Sequence, residues 1–142
     1  MGDKPTLFIV DDCAAYKVLI SIMLKKAGYE VRSFESAELV LSALETDIPD
    51  MIISDLEMPY MDGLDFFRVL KRQGYTYRAI PFVIISSIEN ESRIEEVQRV
   101  SKRPLIKKSI PMSAIIEKIR EILENPSVSI MNDSLKKTTH KY

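Results

Sequence analysis

The chain has 142 residues, 46% of them apolar, and its twenty basic and twenty-one acidic side chains leave a formal charge of −1. That length suits one domain with a core of its own, and the balanced charge excludes a global field drawing the protein to nucleic acid or an anionic membrane. A single cysteine, Cys13, excludes an intramolecular disulfide framework and favours a reducing compartment, while neither a signal-peptide pattern nor an apolar run of ~18 residues is present, so a soluble cytoplasmic protein with protein partners is expected.

Short apolar runs alternate with amphipathic segments, the pattern of βαβ units on a parallel sheet. Strands are predicted over residues 7–10, 30–34, 51–54, 82–86 and 105–107. The first helix follows Asp11-Asp12 and is expected to present Val18, Leu19, Ile22 and Met23 on one face, with Gly28 as its stop. Ser36 can cap a second helix whose Leu39, Ala43 and Leu44 point inward. After Asp55 comes a loop punctuated by Pro59 and Gly63, then Leu64, Phe67 and Leu70 at helical spacing.

Pro81 opens the fourth strand, and the charged helix after it has only Ile94, Val97 and Val100 spaced for burial, so it should be the least firmly held. Pro104 costs a backbone donor and places the fifth strand at an edge of the sheet. Pro111 suits the first turn of a final helix with Ile115, Ile116, Ile119, Ile122 and Leu123 as its stripe, ended by Asn125-Pro126. The expected division is a domain over residues 4–125 and a polar tail or linker stub over 126–142, where His140 has no helical context.

Asp11 and Asp12 directly follow the first apolar run, and Asp55 follows the third. Open parallel sheets bind ligands at the carboxyl ends of their strands, so these acids should meet at one edge, where they repel unless a cation joins them. Oxygen donors of this kind suit Mg²⁺, which leaves coordination positions for phosphate oxygens, and no Cys/His zinc pattern competes. Asp55 is the candidate nucleophile toward phosphorus; Lys108 can neutralise a phosphoryl oxygen and the Ser86 hydroxyl can donate to another. Cys13, beside the acidic pair, is read as structural because adjacent carboxylates disfavour its thiolate. Asp62 is read as shaping the loop with Gly63.

These motifs, in this order, resemble the receiver domain of two-component response regulators. Val10-Asp11-Asp12 is similar to that family's acidic pair, Ser54-Asp55-Leu56-Glu57-Met58-Pro59-Tyr60-Met61-Asp62-Gly63 to its phosphoacceptor loop, and Ile84-Ile85-Ser86-Ser87 to the strand ending in its switch hydroxyl. The resemblance implies a flavodoxin-like, doubly wound (βα)5 fold with a five-stranded parallel sheet of order 2-1-3-4-5. It implies that Asp12 ligates Mg²⁺ directly, Asp11 largely through water, Asp55 as ligand and phosphate acceptor, and Glu57 through its backbone carbonyl. It further implies a phosphoryl donor that is a sensor histidine kinase or histidine phosphotransfer protein, slow hydrolysis, and a downstream protein target read through the fourth long helix, the fifth strand and the final helix, a face that can also serve a homodimer. Neither direct nucleic-acid binding nor membrane association is expected.

Two positions depart from the family pattern. Lys107-Lys108-Ser109 stands where the family has Lys-Pro, with Lys108 chosen because Ile110, Met112, Ile115 and Ile116 then keep the apolar register; Leu105 stands at the switch aromatic. By the same resemblance, Glu57 and Ile88 fall at family positions near the phosphate that influence hydrolysis. These departures define the alternative, a receiver-fold interaction module that signals without phosphorylation. A small-molecule phosphohydrolase is disfavoured because Glu57, not Asp, stands two residues after Asp55, and a flavodoxin-like cofactor carrier because an acidic pair follows the first strand.

Overall fold

Strands β1 (Thr6–Val10), β2 (Glu30–Phe34), β3 (Met51–Asp55), β4 (Phe82–Ser86) and β5 (Ile106–Lys107) alternate with helices α1 (Ala14–Lys26), α2 (Ala37–Leu44), α3 (Gly63–Arg72), α4 (Tyr75–Arg78), α5 (Glu91–Ser101) and α6 (Met112–Glu124). The computed structural model describes residues 3–125; the tail expected over 126–142, with His140, lies outside the described residues. All strand pairs are parallel and the order is β2-β1-β3-β4-β5, the doubly wound flavodoxin-like arrangement.

The three central strands, β1, β3 and β4, are buried runs because the sheet is covered on both faces, whereas the edge strands β2 and β5 carry exposed polar residues. Alternate residues then feed opposite layers. Phe8, Val10, Ile52, Phe82 and Ile84 pack with Val40 and Leu44 of α2, Phe66, Phe67 and Leu70 of α3, and Val97 of α5. Leu7, Ile9, Met51, Ile53, Val83 and Ile85 pack with Ile20 and Leu24 of α1 and Ile115 and Ile119 of α6. The Phe66 and Phe82 rings meet edge to face at 5.3 Å, the preferred aromatic geometry.

Three local expectations are corrected. On α1 the buried residues are Ile20, Ser21 and Leu24, whereas Val18, Leu19 and Ile22 are 57%, 49% and 47% exposed. The helix is apolar nearly all round, so its hydrophobic residues do not single out a face; the hydroxyl contact of Ser21 with Ser33 of β2, at 3.0 Å, marks the inward side. On α2 the inward set is Ala37, Val40 and Leu44, with Leu39 exposed. Leu105 precedes β5 rather than opening it, though it is buried and its amide donates to Gln98 Oε1 at 3.1 Å.

The punctuation reads as expected. Gly28, at φ 104°, takes the left-handed conformation after α1, and Ser36 Oγ accepts from the Leu39 amide at 3.2 Å. β5 is an edge strand, and of the three residues of α5 spaced for burial Val97 is fully buried and Ile94 and Val100 partly so. The short helix α4 was not signalled by periodicity, which four residues are too few to show.

Because the inward side of α1 carries Ile20, Ile20→Ala should cost about 2–5 kcal/mol, whereas Leu19→Gln should stay within about 0.5 kcal/mol, both read by urea denaturation.

Candidate functional site

Register brings the acids together. Val10 pairs with Ser54, so Asp11, the next residue of the chain, and Asp55 reach the same edge of the sheet. Asp55 pairs with Ile85 and Ser86 with Lys107, and the Lys108 amide extends the β4–β5 pairing by donating to the Ser86 carbonyl at 2.9 Å. Side-chain oxygens of Asp11, Asp12 and Asp55 lie within 4.8 Å of one another. The Lys108 ammonium stands 2.8 Å from Asp11 Oδ2 and 3.4 Å from Asp55 Oδ1.

The oxygens are unequally engaged. Asp11, almost fully buried, has Oδ1 held by the Cys13 amide at 2.8 Å and Oδ2 by Lys108. Asp55 Oδ1 accepts from the Leu56 amide at 3.0 Å as well as facing Lys108, while Oδ2 has no donor among the described residues. Asp12 is exposed and, among the described residues, its carboxylate enters no hydrogen bond. The open acceptors are therefore on Asp12 and on one side of Asp55.

The loop after Asp55 is fixed by close approach of backbone to backbone. A Cβ on Gly63 would lie 2.4 Å from the Asp55 carbonyl oxygen, and the Gly63 amide donates to the Leu56 carbonyl at 2.8 Å. The same Asp55 carbonyl accepts from Ser54 Oγ at 2.8 Å. Asp62 caps α3 by accepting from the Asp65 amide at 2.8 Å, and its other oxygen pairs at 2.7 Å with Arg93 of α5, which also binds Glu96 at 2.6 Å. Its loop-shaping role thus extends to a neighbouring helix, a contact that no sequence spacing signals.

Ser86 is buried at the end of β4, and its Oγ accepts from the Ile88 amide at 3.0 Å, which leaves the hydroxyl proton free to donate elsewhere. Lys107 is exposed, and of the two lysines it is Lys108 that faces the acids. The Glu57 side chain is exposed and outside the carboxylate cluster, so any metal contact from this residue would come from its backbone. Cys13 is exposed at the start of α1. The Lys108–Ser109 peptide bond is trans. Tyr16, which no sequence signal marks out because a tyrosine early in an apolar helix looks like a core residue, has its ring centroid 4.4 Å from the Lys108 ammonium.

Burial, then the neighbouring charge of Asp11, push the Asp55 carboxyl up to about 6, against the lowering pull of Lys108. Although burial pulls the Lys108 ammonium down, its hydrogen bond to Asp11 and the charges of Asp55 and Asp11 hold it above its ordinary value. A divalent cation with a preference for oxygen fits this set: the donors are carboxylates, two of them offer open oxygens, and the repulsion that raises Asp55 is what such a cation would relieve.

The sequence matches the family described as "Response regulator receiver domain" over residues 7–120. Among curated proteins it is similar to the DNA-binding transcriptional regulator NtrC of Proteus hauseri, 33% identical over 84 residues, covering 59% of this chain and 17% of that protein. It is also similar to the sensory/regulatory protein RpfC of Xanthomonas campestris, 27% identical over 117 residues, covering 82% of this chain and 16% of that protein. The chain thus spans about a sixth of the length of these relatives. In fold it is similar to the chemotaxis response regulator CheY4 of Vibrio cholerae, with a TM-score of 0.75 at 23% identity over 84% of this chain and 98% of that one. A putative response regulator from Chloroflexus aurantiacus gives 0.78 at 24% identity over 85% and 98%.

Gly63→Ala should destabilise the protein by about 1–3 kcal/mol, since backbone atoms must move, with the loss visible in thermal unfolding. The folded carboxyl of Asp55 holds its proton more tightly than the unfolded one, so metal-free protein should lose stability as pH rises from about 4 to about 6. Asp55→Asn should remove that decline and leave the variant more stable at neutral pH by on the order of 2 kcal/mol, measured as the difference between the two denaturation profiles.

Proposed function

This chain belongs to the receiver domain family of two-component response regulators, and we propose that it accepts a phosphoryl group on Asp55 from a partner phosphohistidine, with Mg²⁺ as cofactor. The domain doing this spans residues 4–125. The observation that carries the proposal is the Asp11–Lys108–Asp55 arrangement, in which one ammonium faces both buried carboxylates while Asp55 Oδ2 has no donor among the described residues.

The open oxygen of Asp55 attacks phosphorus as the bond from phosphorus to the imidazole nitrogen breaks, its electron pair remaining on the imidazole. Lys108 neutralises charge on the phosphoryl oxygens, and the Ser86 hydroxyl turns its free proton toward one of them. Bound Mg²⁺ supplies a Lewis acid for the same oxygens. Asp12 has open oxygens to ligate the metal directly and Asp55 would do so through the carboxylate oxygen that does not attack phosphorus, whereas Asp11, held at both oxygens, suits a contact through water. The Glu57 carbonyl completes the protein donors. Hydrolysis of the acyl phosphate returns the carboxylate slowly and resets the domain.

The donor is a sensor histidine kinase or histidine phosphotransfer protein, and the output is a changed protein-binding surface on α5, β5 and α6, which can also pair two copies of the domain. No described helix is long and apolar enough to cross a membrane, in keeping with a cytoplasmic setting. Leu105 favours a second reading: it is buried and has no polar tip to report a rotamer change, as expected of an interaction module that signals without phosphorylation.

Incubation with acetyl phosphate and Mg²⁺ should add one phosphoryl group by intact mass, lost in Asp55→Asn and on chelation of the metal. Lys108→Ala should slow the gain by roughly tenfold or more. An unmodified protein that still binds Mg²⁺ would favour the interaction module.

A further inference from the structure

We infer that Tyr16 is a positioning residue for Lys108, holding the ammonium on the side of the site where a phosphoryl group would stand; this rests on the phosphoacceptor reading of Asp55. Three groups surround the Lys108 ammonium: Asp11 Oδ2 at 2.8 Å, Asp55 Oδ1 at 3.4 Å and the centroid of the Tyr16 ring at 4.4 Å. The acids belong to the ends of β1 and β3, and the ring to the first turn of α1, so the ammonium is gripped from separate elements. An ammonium at that distance over an aromatic face is attracted by the ring quadrupole, more strongly when water is excluded.

The Tyr16 hydroxyl does not account for the placement of this side chain. It is buried and, among the described residues, has no hydrogen-bond partner. A hydroxyl in that position is a liability that phenylalanine would not have. The favourable contact of this side chain with the site is therefore through its ring, which also packs on the core layer shared by α1 and α6.

Position matters because the lysine stem is flexible and Asp11 is its nearer partner. Without the ring, the ammonium can settle on Asp11 and turn from Asp55. During transfer an Asp55 oxygen bonds to phosphorus while the bond from phosphorus to the donor's leaving oxygen or nitrogen breaks with its electron pair. An ammonium displaced toward Asp11 then neutralises the phosphoryl oxygens less well.

The test compares wild type, Tyr16→Leu and Tyr16→Phe in two measurements, after circular dichroism has checked that each folds. With acetyl phosphate and Mg²⁺, Tyr16→Leu should be modified about tenfold more slowly, Tyr16→Phe should restore the rate to within about twofold, and Mg²⁺ affinity by calorimetry should agree within about twofold across all three. A Leu variant as fast as wild type overturns the inference, as does a Phe variant as slow as Leu, which would place the effect in the hydroxyl. The second measurement is independent of phosphorylation: ring current should shift the Lys108 ε-methylene resonances upfield in wild type and Tyr16→Phe and not in Tyr16→Leu. A wild-type protein without that shift overturns the inference. If wild type takes no phosphate yet shows the shift, the phosphoacceptor reading fails while the placement of Lys108 by Tyr16 stands.

Discussion

The Lys108 ammonium is the contact on which the acidic edge depends, because parallel pairing of β1 with β3 forces Asp11 and Asp55 together whatever their charges. Two carboxylates at that depth repel and lose hydration, which is visible in the raised Asp55 carboxyl. β5 is only two residues long, yet the amide of Lys108 continues its pairing with β4 and so aims the side chain across the sheet edge. The ammonium offsets part of the repulsion without removing it. An incomplete balance of this kind leaves an appetite for further positive charge, and the open oxygens of Asp12 and Asp55 lie where that charge would be met.

Around this edge the backbone is held by packing more than by long-range charge. The Asp55 carbonyl accepts from Ser54 Oγ and has Gly63 close against it, so the Asp55 side chain springs from a peptide with little room to shift. Asp62 then passes the constraint outward, capping α3 with one oxygen and binding Arg93 with the other. The loop is therefore a fixed wall of the site.

Much of this was legible in the chain because each signal had one physical meaning. Strands buried on both faces must be continuous apolar runs, and acids directly after such runs must reach one edge. Pro104 marked the edge strand and Gly28 a helix stop for equally specific reasons. The inward side of α1 was not legible, since Val18, Leu19, Ile20, Ile22, Met23 and Leu24 satisfy more than one helical face, and docking on β2 chose among them. The Tyr16–Lys108 and Asp62–Arg93 contacts join residues far apart in the chain, and each partner alone reads as an ordinary core or surface residue.

Arg93 is shared between Asp62, on another element, and Glu96, on its own helix. If Arg93 leaves Asp62 it keeps Glu96, so that exchange forfeits one partly exposed ion pair, on the order of 0.5–1 kcal/mol. What holds the helix is therefore the burial of Val97, with Ile94 and Val100 packed beside it, and the Leu105 amide donating to Gln98, rather than the ion pair. Exchange of Arg93 between its two carboxylates is thus a smaller event than displacement of the helix: an ion pair opens while the core layer beneath α5 stays closed.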